Sequence, residues 1–203
     1  SLEIGPDGGL YVLDWHDADI CGNTVAHKET GRIFRIMPKK SHAKEWKGRY
    51  DDLANFSDLE LAELQVSPSD WHARRARVIL QGRAVKEAIA TEAIEKLMNI
   101  YKNESNSDFR LRGLWALHVT SSLSENDLLT ALEDSDEYIR AWSIQLLGEE
   151  RILSSNALQK FYTMAVNDTS AVVRLYLAAV LQRIPVNNRW EIVSALSQRS
   201  DDK

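Results

Sequence analysis

The sequence predicts a mainly α protein, an α-solenoid of about four helix pairs behind a short N-terminal β segment. Two observations carry that expectation. First, composition changes near residue 40: glycine and β-forming residues dominate before it, and helix formers dominate after it. Second, an arginine opens the same apolar phrase four times, at Arg74, Arg112, Arg140 and Arg174, spaced 38, 28 and 34 residues apart. Four residues before each stands Asp70, Asp108, Asp136 or Ser170, and just before each stands Ala73, Leu111, Ile139 or Val173. Periods of this length mark stacked helical pairs, each too small to bury its apolar face alone.

Taken in order, residues 1–40 read as strands. LEIGPDGGLYVLDW gives a strand, a Pro6–Gly9 turn in which Gly8 and Gly9 can supply positive backbone angles, and a second strand over Leu10–Trp15. GRIFRIMP, Gly31–Pro38, is a third strand with imperfect alternation, ended by proline. Two or three strands alone are marginal in water, so this segment is expected to be the last part of a larger sheet. Residues 41–56 read as a basic linker. From His27 to Tyr50 there are eight Lys or Arg against two acids, while the rest of the chain is acidic.

Residues 57–203 read as helices. Ser57 with Glu60 three residues on is a capping-box pattern opening a helix to Leu64. Pro68 breaks the chain, and Asp70 is expected to cap a helix to about Arg83. Further helices are expected over about Lys86–Lys102, Asp108–Thr120, Ser124–Glu133, Asp136–Gly148, Ser155–Val166, Ser170–Arg183 and Asn187–Gln198. The second helix of each pair carries the apolar stripe. Val173, Tyr176, Leu177, Val180 and Leu181 fill it completely, whereas Arg77 and Gln81 interrupt the first. The last helix lacks a partner before Lys203, so the chain is expected to stop inside a repeat.

The bulk numbers constrain function only loosely. With 203 residues, 44% hydrophobic and 27% charged, the chain is an ordinary globular sequence with a net charge of −5. That charge argues against nucleic acid as partner, although Arg74, Arg75 and Arg77 could grip phosphate. No apolar run approaches the roughly 18 to 20 residues a membrane helix needs. The 203 residues hold no signal-peptide pattern, although a signal could have preceded Ser1, and no phosphate loop or dinucleotide fingerprint; the single Cys21 says nothing about redox compartment.

Asp14, His16, Asp17, Asp19, Cys21 and His27 form the densest set of metal-donor side chains. Their spacing fits no zinc or calcium template, and turn-capping acids in a loop are the plainer reading. Cys21 and His27 lack an orienting third group for nucleophilic catalysis, so a buried structural thiol is preferred. Trp71, Trp115, Trp142 and Trp190 fall on helices and are expected in the core or the seams between repeats; exposed, they would be binding anchors. No catalytic, metal or cofactor residue is assigned.

The phrase Asp-x-x-(Ile/Val)-Arg, complete in Asp136–Arg140, resembles HEAT repeats over roughly residues 57 to 198. That resemblance implies a ladder in which Asp70, Arg74, Asp108, Arg112, Asp136, Arg140 and Arg174 bond within and between units. Asp136 would pair with Arg140 and Asp108 with Arg112, and Ser170 replaces the fourth acid. GPDGGLYVLDWHDADICGN with GRIFRI resembles the closing blade of a sugar-dehydrogenase-like β-propeller, and SDWHARRARVILQGRA the helical region after it. This order resembles the large membrane-bound-dehydrogenase family of planctomycete and verrucomicrobial bacteria. The resemblance implies a periplasmic or secreted protein that often ends in a c-type haem domain, but the haem signature C-x-x-C-H is absent here. The expected function is a non-catalytic scaffold for a protein partner or for neighbouring domains of the same polypeptide. The alternative is a connecting segment of a propeller-type sugar dehydrogenase.

Overall fold

The computed structural model describes residues 1–14, 31–150 and 152–199. Among them the chain is mainly helical, with a short N-terminal sheet. It divides into two compact units, Ser1–Lys96 and Leu97–Lys203.

The first unit opens with an antiparallel sheet of β1 (Leu2–Ile4), β2 (Leu10–Leu13) and β3 (Ile33–Ile36), in that spatial order. Leu2 lies opposite Val12 and Ile4 opposite Leu10, while Leu10 and Val12 face Ile36 and Phe34. Directly opposed residues share a face, so these six apolar side chains form one face of the sheet. Glu3, Tyr11 and Arg35 lie on the other, with Leu13 and Ile33 beside them. The imperfect alternation of GRIFRI thus reflects a sheet that is apolar on one side and mixed on the other. Gly8 supplies the positive angle of the turn (φ +72), and a Cβ there would sit 2.9 Å from the Trp46 ring. Asp7 is buried in the same turn. It accepts from the Gly9 amide and the Tyr11 hydroxyl, both at 2.9 Å, and pairs with Arg35 at 2.5 Å.

Within residues 41–56 two apolar side chains are buried while most of the segment is exposed. Ala43 and Leu53 are buried in two short 3-10 turns, Ala43–Glu45 and Leu53–Asn55. Apolar side chains at these two positions override the basic composition around them. Leu53 joins Leu61, Leu64, Ala76 and Leu80 in a core closed by α1 (Asp58–Glu63) and α2 (Asp70–Ala84). Both halves of the Ser57–Glu60 capping box are present. The cap of α2 is Ser69 rather than Asp70, because the Ser69 hydroxyl accepts the His72 amide. α3 (Thr91–Asn103) starts later than Lys86, since the amides of Lys86 and Glu87 still bond back to Arg83.

The second unit contains α4 (Ser107–Val119), α5 (Glu125–Ala131), α6 (Glu137–Leu147), α7 (Ser155–Asn167), α8 (Ala171–Val180) and α9 (Trp190–Ser197). α6 packs against α4, α5 and α8, while α7 packs against α8 and α9. Leu114, Leu117, Ile139, Ile144, Phe161 and Leu177 are fully buried between them. Gly113 lets α4 approach α3: an added Cβ would lie 2.9 Å from the Tyr101 backbone nitrogen. No helix among the described residues is long and apolar enough to cross a membrane.

Candidate functional site

Helix caps set the geometry of the second unit. Asn106, Asp136 and Ser170 cap α4, α6 and α8, each accepting amides from the first turn. Counting from the cap, the residue matching Arg140 and Arg174 in α4 is Arg110, two positions before Arg112. Asn106 rather than Asp108 holds the cap there; a side-chain carbonyl caps as well as a carboxylate, so acid spacing alone misplaces the register.

The recurring bonds follow that register. Arg110 binds both carboxylate oxygens of Asp134, and its Nε donates to the Tyr101 carbonyl at 2.9 Å. Arg140 binds Asp168 in the same two-pronged way, with Nε and Nη2 each at 2.9 Å from an oxygen. Its Nη1 also donates to the Asp134 carbonyl at 2.9 Å, and Arg174 donates to the Asp168 carbonyl at 2.7 Å. Each of the two acids also accepts the amide of the following cap, Asp136 or Ser170, at 2.9 Å. One loop aspartate therefore ties the entry of its own helix to the arginine of the preceding one. The chain of contacts runs Arg110, Asp134, Arg140, Asp168, Arg174 without a break.

Asp136 therefore serves as a cap, and it also accepts the Ser107 hydroxyl from the start of α4. Ser170, where the acid is replaced, caps α8 and donates its hydroxyl to Glu137 of α6. Arg112 lies over the Phe109 ring, 5.4 Å from its centroid. The carboxylates that do the pairing, Asp134 and Asp168, stand six residues before Arg140 and Arg174. That shared offset was readable, but a search confined to the offset of four passes over it.

The electrostatics agree with the bonding. Burial works to raise the pKa of Asp168, but the Arg140 guanidinium and the Ser170 amide outweigh it and hold the carboxyl below its ordinary value. At Asp136 burial is likewise outweighed, by the Ser107 hydroxyl and the Ile139 and Tyr138 amides. The Asp168 bond raises the pKa of Arg140 and the Asp134 bond that of Arg110. An aromatic row accompanies the ladder. The Trp115 and Trp142 rings meet edge-on at 4.8 Å, and Trp142 lies 6.2 Å from Tyr176. Both tryptophans are half-buried, whereas Trp190 is exposed.

Asp70 and Arg74 lie in the first unit. Arg74 is exposed beside Arg75 on a groove next to β1, while Arg77 donates to the Gln65 side chain at 3.0 Å. Another ion pair of that unit, besides Asp7 with Arg35, joins α2 to α1. Arg83 bonds Asp58 at 2.6 Å and the carbonyls of Ala54 and Phe56, while Asp58 also accepts the Ala90 amide at 3.0 Å.

Of the possible donor set near the N-terminus, Asp14 is described, and its amide donates to the Arg32 carbonyl. His16, Asp17, Asp19, Cys21 and His27 lie outside the described residues. Among the described residues no three His, Cys, Asp or Glu side chains converge as a metal site. No protein-family model matches the chain, and no curated protein or solved structure matches it significantly.

Proposed function

We propose that this protein is a non-catalytic helical-repeat module, a HEAT-like α-solenoid that presents a continuous surface to a protein partner or to neighbouring domains of its own polypeptide. The observation that supports it is the unbroken run of contacts from Arg110 to Arg174, in which Arg110 of α4 clasps the aspartate before α6 and Arg140 of α6 clasps the aspartate before α8. Such coupling holds a row of helices in register while leaving their outer surfaces open, as an extended binding surface requires. Lysine cross-linking in cells that make the whole polypeptide tests the reading. Links from Lys102 or Lys160 to another protein or domain are expected. Sugar-dependent reduction of an artificial electron acceptor by the purified chain alone would overturn it.

A second reading is favoured by the sheet. Leu2, Ile4, Phe34 and Ile36 share its apolar face and are 46–68% exposed with Ile33 and Leu13 on the other side. A propeller blade buries both faces between neighbouring blades. In that reading the chain connects a sugar-dehydrogenase-type propeller to a c-type haem domain in a periplasmic or secreted protein. Blades stacked on both faces of this sheet in the parent protein are its test; a parent in which the sheet stays solvent-exposed removes it.

A further inference from the structure

The first unit holds a groove of about 700 Å³, within the range of ligand sites. Leu2, Glu3 and Ile4 of β1 form one wall, and α2 forms the other through Trp71, Arg75 and Val78. Three successive residues of β1 line it, yet none from β2 or β3 does. A space above a sheet face would touch alternate residues of adjoining strands, so this groove lies off the edge of β1 that no other strand pairs with among the described residues.

The ladder says what that edge offers. The Leu13 amide donates to the Ser1 carbonyl at 3.1 Å and the Gly5 amide to the Gly9 carbonyl at 2.9 Å. Antiparallel alternation then makes Glu3 and Tyr11 a bonded pair and turns the N–H and C=O of Leu2 and Ile4 away from β2. Two donors and two acceptors stand along the edge at strand spacing, which an extended backbone matches and a compact ligand does not. The opposite wall is firm: Trp71 packs on the Leu53–Leu80 core and meets the buried His72 ring edge-on at 5.0 Å. The charge of the groove is mixed: Arg74 and Arg75 are exposed side by side, and the exposed carboxylates Glu3, Asp51, Asp52 and Asp70 also line it.

We propose that this groove takes up an extended peptide segment of a partner protein as a fourth strand along β1. Alternate side chains of that segment are apolar and pack on Leu53, Trp71 and Val78, with an acidic side chain at Arg75 and a basic one facing Asp51 or Asp52. The arginine ladder lies in the other unit, so this proposal and the repeat reading fail independently.

The probe is a phage-displayed library of random decapeptides, panned on the 203-residue chain and followed by synthesis of the enriched peptide. Enrichment of sequences that alternate apolar with charged residues of both signs is expected, with at least tenfold slower amide exchange at Leu2 and Ile4 on saturation. Ile4→Pro deletes one outward N–H without breaking a ladder bond, and should weaken binding at least tenfold with the melting temperature unchanged. Arg75→Glu, on the opposite wall, should weaken binding comparably and covers the case in which the proline variant fails to fold. The proposal is overturned by no enrichment, by peptides that bind folded Ile4→Pro as tightly as the parent chain, or by protection elsewhere. It is equally overturned if the whole polypeptide already protects β1 and excludes the peptide, which would assign the edge to an internal strand.

Discussion

Arg140 shows how much one side chain can depend on burial. It makes two bonds to Asp168 and two to loop carbonyls, with side-chain exposures of 14% and 7% across the ion pair. Removing one partner strands the other in a poorly hydrated site. Arg140→Ala is therefore expected to lose about 2 to 4 kcal/mol in urea unfolding. Lys47→Ala, which breaks an exposed pair with Glu63, should lose about 0 to 1 kcal/mol. Equal losses would place Arg140 effectively at the surface. His72 makes a different residue-scale statement. Its Nε2 lies 3.1 Å from the Gly48 carbonyl, which only accepts, so that nitrogen carries the proton, and Nδ1 lies 2.7 Å from the Ser69 hydroxyl. Burial lowers its pKa, and the Gly48 carbonyl opposes this only in part. A lowered histidine pKa means the unfolded chain takes up the proton first as pH falls, so stability is complete above about 6.5 and declines below it. Thermal melts from pH 7 to pH 5 should show the decline, and His72→Gln should flatten it.

At the scale of elements, caps and close approaches decide where helices start and how near they lie. The serine and acid pairs at Ser57–Glu60 and Ser124–Asp127 were legible as capping boxes because each is a local exchange of two bonds. The caps at Ser69, beside Asp70, and at Asn106, two residues before Asp108, are not legible locally, since nearby polar residues differ in which one the chain's path leaves outside the helix. Gly113 is a further case. In sequence it lies off the stripe of Leu111, Leu114, Trp115 and Val119, but in the fold its missing Cβ lets the α3 backbone come close. Gly113→Ala is expected to overpack this contact and destabilise by about 1 to 3 kcal/mol, read from the denaturant midpoint. Gly82→Ala, with nothing within 4 Å of the added carbon, should be neutral or stabilising.

At the scale of the whole molecule, buried acids tie stability to pH. Asp7, Asp136 and Asp168 are each buried enough to raise their pKa, yet hydrogen bonds and neighbouring cations hold them below the ordinary value. A carboxyl depressed in the folded state adds stability that is present above its unfolded pKa and is lost as pH falls through the folded value. Stability should therefore drop steeply below about pH 4, followed by circular dichroism. Asp168→Asn should be weaker at pH 7 and lose less on further acidification; an unchanged acid limb would remove Asp168 from the account.

The sequence by itself determined the strands, nearly every helix and the existence of a recurring arginine. These rest on local causes: glycine turns, capping hydroxyls and apolar spacing within a dozen residues. Only the tertiary structure decided which arginines pair with which acids, that Leu53 enters a core, and that β1 borders a groove. Those depend on groups some 30 residues apart meeting across a packed interior, where the gain from satisfying a buried charge outweighs any preference written in the nearby chain.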